Sequence, residues 1–493
     1  MTSPDPPPSD PSPSDPSPSD PSPAPETNPD PGGPPLNSDQ SFWGMLVTQF
    51  LGAFNDNLFK QLVLLVCLDY ALATGDDRQF LAQAMFAVPF MLLSGFAGWV
   101  SDRWPKRGLI VGCKVAEIAV MLLGAAAFWV GGQDLSTLLL LLFGVLALMS
   151  AQSAFFGPPK YGILPELFAD RDLPRANGLI QMTTFLSIIF GTALAGVLKD
   201  QLAGRLWIIS AGCVAIAVVG TLTSLVIRRT PVAEPDSKFT PSALFVHHSL
   251  WATLRKDRLL LEVLFVSSLF WLVGGLVPLA VNAFGKVQLG FSDTGTSVLL
   301  SCTGFGIAAG CVLAGRLSHD RVRYGLVTVG TWGIVASFAA LVVVGWLNPP
   351  PPGLADAAAG AVEPAAGAGF GEAPEAIDFW KTGVWWAAAL PMTTLGVFSG
   401  LFAVPLQVAL QTRPPRDLKG RMIGAMNLFN WIGIVLSSVV YFGLTATVAA
   451  DRSYHWAFAA AGLLLLPVGL FFHPSDEESA APAPSSGGSL GPG

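Results

Sequence analysis

Apolar residues are grouped along the chain in runs of about 20, the length at which a helix crosses the roughly 30 Å hydrocarbon core of a membrane. Polar turns separate the runs, and Gly or Pro interrupts many of them, which neighbouring membrane helices tolerate. The pattern predicts an all-α membrane protein with twelve transmembrane helices, at about residues 43–73, 79–101, 108–130, 135–157, 177–199, 205–227, 259–283, 293–317, 324–346, 381–411, 420–445 and 453–473.

The composition agrees with this pattern. Hydrophobic residues make up 52% of the 493 and charged residues 12%, whereas soluble domains carry roughly 25% charged residues. The mean hydropathy is +0.54. These values exclude a water-soluble enzyme or nucleic-acid-binding domain, so no nucleic-acid partner is expected.

Three segments of low complexity interrupt the apolar pattern. Residues 1–40 repeat the motif "SDPSP", and the segments 348–378 and 474–493 are rich in Pro, Gly and Ala or Ser. Such segments have too few large apolar residues to form a core, so all three are predicted to be disordered. The first segment has no apolar signal-peptide core, so no cleaved export signal is expected.

Lys and Arg indicate the orientation, because cytoplasmic loops retain positive charge. If the N-terminus lies inside, the five inward loops contain most of the 27 Lys and Arg residues, and the six outward loops contain few. The predicted protein therefore crosses the membrane several times and has both termini in the cytoplasm.

The longest cytoplasmic connection divides the chain into two halves. It predicts six-helix bundles at 41–228 and 259–473, joined by a linker at 229–258. Similar phrases occur in both halves: "GWVSDRWPKRG" (98–108) with "GRLSHDRVRYG" (315–325), and "PKYGILPELFADRDLPRANGLIQM" (159–182) with "VPLQVALQTRPPRDLKGRMIGAMN" (404–427). Two related bundles are typical of transporters that bind their substrate between the halves, near the midplane.

The phrase "GWVSDRWPKRG" resembles the loop motif of the major facilitator superfamily, in which Gly, Asp and Arg precede a basic pair. The resemblance implies that Gly98 allows close helix contact and that Asp102 accepts hydrogen bonds. It also implies that Arg103, Lys106 and Arg107 anchor the loop at the inner leaflet. Arg421 stands in the matching part of the second half. Pro105 stands where the family usually has Gly. A basic inner loop is also common in unrelated membrane proteins.

Four further phrases resemble the lysophospholipid transporter branch of that superfamily: "FLGAFNDNLFKQLVLL" (50–65), "FFGPPKYGILPEL" (155–167), "GLFAVPLQVALQ" (400–411) and "NLFNWIGIVLSS" (427–438). They also resemble the membrane half of 2-acylglycerophosphoethanolamine acyltransferase / acyl-ACP synthetase. The resemblance implies transfer of a lysophosphatidylethanolamine-like lipid from the outer to the inner leaflet of a bacterial cytoplasmic membrane. Alternating access by rocking of the two bundles is the expected mechanism, and the protein is expected to be a monomer. Membrane lipids and a separate acyltransferase are the implied partners.

A zwitterionic head group needs a polar site beside an apolar wall. On a helix, Gln49, Asp56 and Lys60 share one face, with Asn57 beside them. Asp56 is expected to bind the ammonium, or to pair with Lys60 when the site is empty. The other expected substrate ligands are Gln49, Asn57, Lys60, Lys160 and Tyr161 in the first half, and Gln407, Asn427 and Asn430 in the second.

Structural roles are open for several of these residues. Asp56 with Lys60 can be a pair that only stabilises packing, and Lys160 can extend to the lipid head groups. Asn427 and Asn430 can join helices instead of binding substrate. Lys114 and Glu117, three residues apart, are read as an intrahelical pair in preference to a proton relay. The five cysteines are read as packing residues.

Two departures from the resembled branch concern charge. Some of its members carry an Arg in the seventh helix, where "SLFWLVGGLVPLAVNAF" (268–284) has no charge, and Asn430 stands where some have a Glu. These departures put any gating salt bridge between the halves in doubt, and with it the identity of the head group.

Catalysis is not expected in this chain. Acyltransferases of the kind fused to the resembled proteins use a His followed five residues later by an Asp. None of the five histidines has an Asp at that distance: His247, His248, His319, His455 and His473. We expect no cofactor and no metal. The alternative functions are a proton-coupled drug or metabolite exporter that uses Asp56, and a receptor or scaffold that does not transport.

Overall fold

The computed structural model describes residues 36–131, 134–169, 172–230, 248–318, 323–350, 379–414, 418–448 and 452–474. Within these ranges the chain is helical and contains no strand. The principal helices are α1 (Gln40–Thr74), α2 (Gln79–Arg103), α3 (Lys106–Gly131), α4 (Leu135–Gly162), α5 (Leu173–Gln201), α6 (Trp207–Ser224), α7 (Arg258–Ala283), α8 (Asp293–Ser318), α9 (Gly325–Leu347), α10 (Gly383–Thr412), α11 (Lys419–Val448) and α12 (Trp456–Phe471).

The structure confirms an all-helical membrane protein, although the count of twelve spans is not fully met. Among the described residues, 11 helices are long and apolar enough to cross a membrane. The remaining one, Trp456–Phe471, is apolar but has only 16 residues. An α-helix of that length extends about 24 Å, less than the roughly 30 Å hydrocarbon core.

Short helices lie between the principal ones. Leu164–Leu167 follows α4, His248–Lys256 precedes α7, and a π-helix, Phe284–Gln288, continues α7. Leu36–Ser38 forms a 3-10 helix at the end of the segment predicted to be disordered, because Leu36 is buried in the protein. Most of the three segments predicted to be disordered lies outside the described residues.

The first helix of each half begins in the same way. Asp39 caps the start of α1 by accepting a hydrogen bond from the Ser41 amide, and Asp257 caps α7 by accepting one from the Leu260 amide. Each carboxylate also binds an arginine: Asp39 pairs with Arg228 at 2.9 Å and Asp257 with Arg413 at 2.6 Å. An acidic cap that also binds a cation satisfies the free amides at a helix start.

Most helix contacts stay within one half. In the first half α1 packs on α5 and α6, and α4 packs on α2 and α3; in the second half α10 packs on α8 and α9, and α7 packs on α11. Glycines allow the closest approach: a Cβ on Gly400 would lie 2.8 Å from the Gly310 Cα. Small residues at such crossings are typical of membrane bundles.

The two halves meet through α5 with α8 and through α2 with α11. We name the two ends of the bundle by the predicted orientation. The inner end carries the basic turn between α2 and α3, and the outer end carries the turns between α1 and α2 and between α5 and α6. Which end faces the cytoplasm stays a prediction.

Candidate functional site

The polar side chains of α1 do not share one environment. Gln49 is buried between α1 and α5, where its amide nitrogen donates to the Ile180 carbonyl at 3.2 Å. Gly52 packs directly against the ammonium of Lys114. Asp56 and Lys60 are half-buried. The face predicted from helical spacing is therefore occupied by packing at its inner end and is more open near the middle of α1.

Asp56 has one carboxylate oxygen bound and one free of partners. Its Oδ2 accepts a hydrogen bond from Ser153 Oγ on α4 at 2.6 Å. Its Oδ1 is enclosed by protein and has no hydrogen-bond partner among the described residues. A buried carboxylate oxygen without a partner is costly, so this oxygen is available to a positively charged or hydrogen-bonding ligand.

The expected pair between Asp56 and Lys60 is not formed, and this prediction is corrected. The Lys60 ammonium lies over the ring of Phe86 on α2, 4.3 Å from the ring centre. It makes no ion pair within the described part of the chain. The aromatic face attracts the cation while Ser153 holds the carboxylate on the other side, so the two charges are directed to different helices.

Lys160 is held inside the first half. It is 8% exposed, and its ammonium donates to Thr184 Oγ1 at 3.2 Å. The Thr184 hydroxyl donates in turn to Gln49 Oε1 at 3.0 Å, so these three residues link α4, α5 and α1. Lys160 therefore does not extend to the lipid head groups here. It also attracts Asp56 electrostatically.

The two other predicted ligands in the first half have local partners. Tyr161 is 45% exposed, and its hydroxyl donates to Gln181 Oε1 at 3.3 Å. Asn57 is half-buried and donates to the Ala53 carbonyl of its own helix at 2.7 Å. The structure therefore brings Gln49, Asp56 and Lys160 together, with Lys60 one turn further along α1.

The predicted ligands in the second half are divided. Gln407 and Asn427 are exposed and have no hydrogen bond among the described residues. Asn430 is buried and accepts a hydrogen bond from Ser267 Oγ on α7 at 3.2 Å. Asn430 therefore joins α11 to α7, which is the structural role that the sequence left open for it.

A second polar cluster, which the site prediction did not include, lies behind α1. Lys114 and Glu117 form the predicted intrahelical ion pair on α3, and both side chains are 1% exposed. Asn55 donates to Glu117 Oε1 at 2.9 Å and to the Cys213 carbonyl at 3.3 Å. The sequence signal was present in the position of Asn55, one residue before Asp56, which places it about 100° around the helix from Asp56.

The loop motif is arranged differently from the expectation. A Cβ on Gly98 would meet nothing within 4 Å, so no close helix contact requires this glycine. Lys106 does not anchor at a leaflet, because it is buried and forms an ion pair with Glu166. Arg107 donates to the Leu225 carbonyl at 2.9 Å and so joins α3 to the end of α6. Both the Gly98 and the Lys106 predictions are corrected.

The other residues of the motif lie at the inner surface. Asp102, Arg103 and Arg421 are exposed. The Arg103 guanidinium lies 5.6 Å from the ring centre of Trp99. Part of the matching phrase of the second half, 319–322, is outside the described residues.

The comparisons with known proteins agree with this architecture. The family model of the Major Facilitator Superfamily matches residues 45–438. The Lysophospholipid transporter LplT of Serratia proteamaculans (strain 568) is 28% identical over 399 residues, which cover 79% of this chain and 84% of that protein. The protein of the same name from Enterobacter sp. (strain 638) is 30% identical over 294 residues, covering 57% and 68% of the two chains.

Solved transporters have a similar fold at low sequence identity. A D-xylose-proton symporter has a TM-score of 0.60 at 15% identity and covers 89% of this chain and 99% of its own. A bacterial homologue of the human lysosomal transporter Spinster has a TM-score of 0.55 at 13% identity, covering 90% and 97%. At these identities the likeness concerns the fold alone.

Proposed function

Since this chain belongs to the Major Facilitator Superfamily of membrane transporters, we propose that it moves a lysophospholipid from the outer to the inner leaflet of a bacterial cytoplasmic membrane. The names of the relatives support this proposal, because the similarity to Lysophospholipid transporter LplT extends over most of both chains. The site near the middle of α1 supports it independently.

The incompletely satisfied charges of that site carry the proposal. One carboxylate, Asp56, has an unpartnered oxygen and is attracted electrostatically by the Lys160 ammonium, and Lys60 lies one turn further along α1. Among the described residues, Lys60 contacts the face of an aromatic ring and no anion, and Lys160 has a neutral hydroxyl as its one hydrogen-bond partner. A charged group inside a membrane protein is usually paired or functional. One negative and two positive groups complement a head group that contains one ammonium and one phosphate.

Each group then has a distinct role in binding. The Asp56 carboxylate accepts hydrogen bonds from the substrate ammonium through its free oxygen. Lys160 binds the phosphate from the side of α4, and Lys60 leaves the Phe86 ring to bind it from the side of α1. Charge-assisted hydrogen bonds of this kind are the strong ones, because both partners are ionised.

The acyl chain requires an apolar surface beside the polar groups. Phe86, Phe90 and Trp431 provide one next to Lys60: the rings of Phe90 and Trp431 stack with centres 4.2 Å apart, and Phe86 lies against both. Trp431 belongs to α11 and the two phenylalanines to α2, so this surface joins the halves. Rocking of the halves changes its shape while the head group crosses.

The chemistry proposed is transport without covalent change. A lysolipid delivered to the inner leaflet is a substrate for acylation, so we propose that a separate acyltransferase consumes it. We carry over from the sequence the location in the bacterial inner membrane with both termini in the cytoplasm.

The test is movement of lysolipid into reconstituted vesicles. Lysophosphatidylethanolamine with a fluorescent acyl chain is added to the outer leaflet, and the fraction protected from an impermeant quencher is followed over time. The Asp56→Asn variant and protein-free vesicles are the controls, and lysolipids with glycerol and choline head groups define specificity.

A pH gradient is imposed in a second series. Protection that appears only with wild-type protein supports the proposal. If no lysolipid moves but a drug or metabolite moves with the proton gradient, the protein is an exporter and the proposal is wrong.

A further inference from the structure

Four buried charges form a closed cycle at the outer end, which we call the charged square. Its members are Asp69 on α1, Lys199 near the end of α5, Lys286 in the π-helix after α7, and Asp293, the first residue of α8. Lys199 lies 2.7 Å from Asp69 and 2.6 Å from Asp293. Lys286 lies 2.6 Å from Asp69 and 2.5 Å from Asp293. Acidic and basic residues therefore alternate around the square.

Each half contributes one acid and one base. Asp69 and Lys199 belong to the first half, and Lys286 and Asp293 to the second. Two of the four ion pairs, Lys199 with Asp293 and Lys286 with Asp69, therefore join the halves. All four side chains are at least three-quarters buried, with exposed fractions of 7 to 22%. At such burial an ion pair is screened much less than at the surface.

The backbone around the square holds the groups in place. Asp200, the residue after Lys199, accepts hydrogen bonds from the amides of Asp293 and Thr294 at 3.2 and 2.7 Å. This contact caps the first turn of α8 with a side chain from the other half. Gly196 lies against the Asp293 backbone, where a larger residue would not fit.

The distribution of acids and bases between the halves allows the halves to separate and to rejoin at the square. When the halves part, each keeps its own ion pair: Asp69 with Lys199, and Lys286 with Asp293. No charge is left alone inside the protein. Breaking a buried pair is costly when it leaves such a lone charge, so this cost is avoided here. A square with two acids in one half and two bases in the other would lack this property.

We propose that the charged square is a reversible lock that holds the outer end of the transporter closed and opens to admit the substrate. Neutral hydrogen bonds also join the halves near the square. Gln61 on α1 donates to Asn282 Oδ1 at 2.9 Å and to Ser297 Oγ at 3.2 Å. The lock depends on transport by alternating access and not on the identity of the substrate.

The test uses double variants that keep the charge balanced. Asp69→Asn with Lys199→Met leaves one ion pair inside the second half, and Lys286→Met with Asp293→Asn leaves one inside the first. Both remove every pair between the halves. The matched controls, Lys199→Met with Asp293→Asn and Asp69→Asn with Lys286→Met, also leave one pair, but that pair joins the halves.

Opening is measured as a distance, without substrate. Spectroscopic labels are placed on Ala203→Cys in the first half and Leu347→Cys in the second, two exposed positions near the outer end. Protein without these cysteines measures background labelling. The two variants that keep only an ion pair within one half are called the within-half variants. We expect them to raise the ratio of open to closed molecules about tenfold, and we expect the two controls to stay near wild type.

Two results would overturn the lock. The first is equal distances in all four double variants, since the effect would then depend on the number of charges and not on their connection. The second is loss of folded protein in both within-half variants while both controls fold, since the ion pairs between the halves would then be required for folding. Because no substrate is present, the result is independent of whether lysolipid is transported.

Discussion

The charged square and the site around Asp56, Lys60 and Lys160, which we call the central site, contain similar charged groups. They differ in how completely those charges are paired. In the square each ammonium contacts two carboxylates and each carboxylate contacts two ammonium groups. In the central site Asp56 uses one oxygen, and Lys60 contacts a ring instead of an anion. The difference teaches how to separate charges that hold helices or halves together from charges that bind a ligand: complete pairing joins the elements that carry the charges, and incomplete pairing leaves capacity for a ligand.

The comparison predicts different consequences of substitution. Loss of a fully paired charge leaves its partner buried and uncompensated, so folding or conformation changes. Loss of an incompletely paired charge leaves little behind, so the protein folds and only binding suffers. The predictions below test this distinction, beginning with the largest effect.

The Lys114 and Glu117 pair gives the strongest test for a fully paired charge. Lys114→Met leaves the Glu117 carboxylate enclosed without a cation, at a cost of about 3 to 5 kcal/mol. We expect little folded protein and a lower unfolding temperature in detergent. The double variant Lys114→Met with Glu117→Gln removes both charges and should recover most of the folded protein. Equal damage in the single and double variants would contradict this reading.

Asp56 gives the corresponding test of the second class. Asp56→Asn removes the charge and keeps the shape, and we expect transport of lysolipid to fall by about tenfold or more, as loss of a charged hydrogen bond predicts. The amount of folded protein and its unfolding temperature should match wild type. Ser153→Ala, which removes only the existing partner of Asp56, should have a smaller effect. Wild-type transport in Asp56→Asn would remove this residue from the site.

Lys60 should show a weaker effect of the same kind, because it is half-buried and Lys160 remains to bind the phosphate. We expect Lys60→Met to raise the lysolipid concentration for half-maximal transport by about threefold to tenfold. Lys60→Arg keeps the charge and should restore much of the affinity. If Lys60→Met lowers folded protein instead, its contact with Phe86 is structural.

The smallest effect concerns pH at the outer end. Asp77, in the turn after α1, is buried, and its carboxylate accepts hydrogen bonds from Tyr441 at 2.7 Å and from the Gln79 amide at 2.9 Å. Burial raises the pKa of Asp77, and the neighbouring charge of Asp76 adds to this. A third hydrogen bond comes from the Gln79 side chain at 3.1 Å, and all three oppose the shift in pKa without cancelling it.

The sign of the pH effect follows from that shift. The pKa of Asp77 is higher in the closed form than in water, so protonation favours the closed outer end. This contribution is present below the pKa of the hydrated carboxyl and is lost as pH rises through the raised pKa. The labels on Ala203→Cys and Leu347→Cys should report more closed molecules at lower pH. Asp77→Asn should remove that dependence; an unchanged pH profile would assign it to other groups.

Much of the fold was predictable because a membrane restricts the possibilities. Apolar runs of the right length must be helices, and the repeated phrases divide the helices into two halves. The exceptions arise from local packing: α4 continues through Pro158 and Pro159 to Gly162, beyond the predicted end at 157. The last helix is shorter than its apolar run of 453–473.

Less of the candidate site was predictable. Helical spacing placed Asp56 and Lys60 on one face, but it did not indicate that Ser153 and Phe86 draw them apart. Those partners come from α4 and α2, and their positions depend on how three helices pack. Gly98 and Lys106 were misread for the same reason, since their roles depend on neighbours that the motif does not contain.

The sequence by itself determined the class of protein, its helices, its division into halves and the presence of intramembrane charge, because hydrophobicity and helical period act within one segment. Only the tertiary structure decided which charges are satisfied. The four residues come from helix ends in three distant parts of the chain, at Asp69, at Lys199 and between Lys286 and Asp293. Each alone is typical of a charge at a membrane boundary. They form one square because the two halves dock at the outer end, and that docking depends on the shapes of whole bundles.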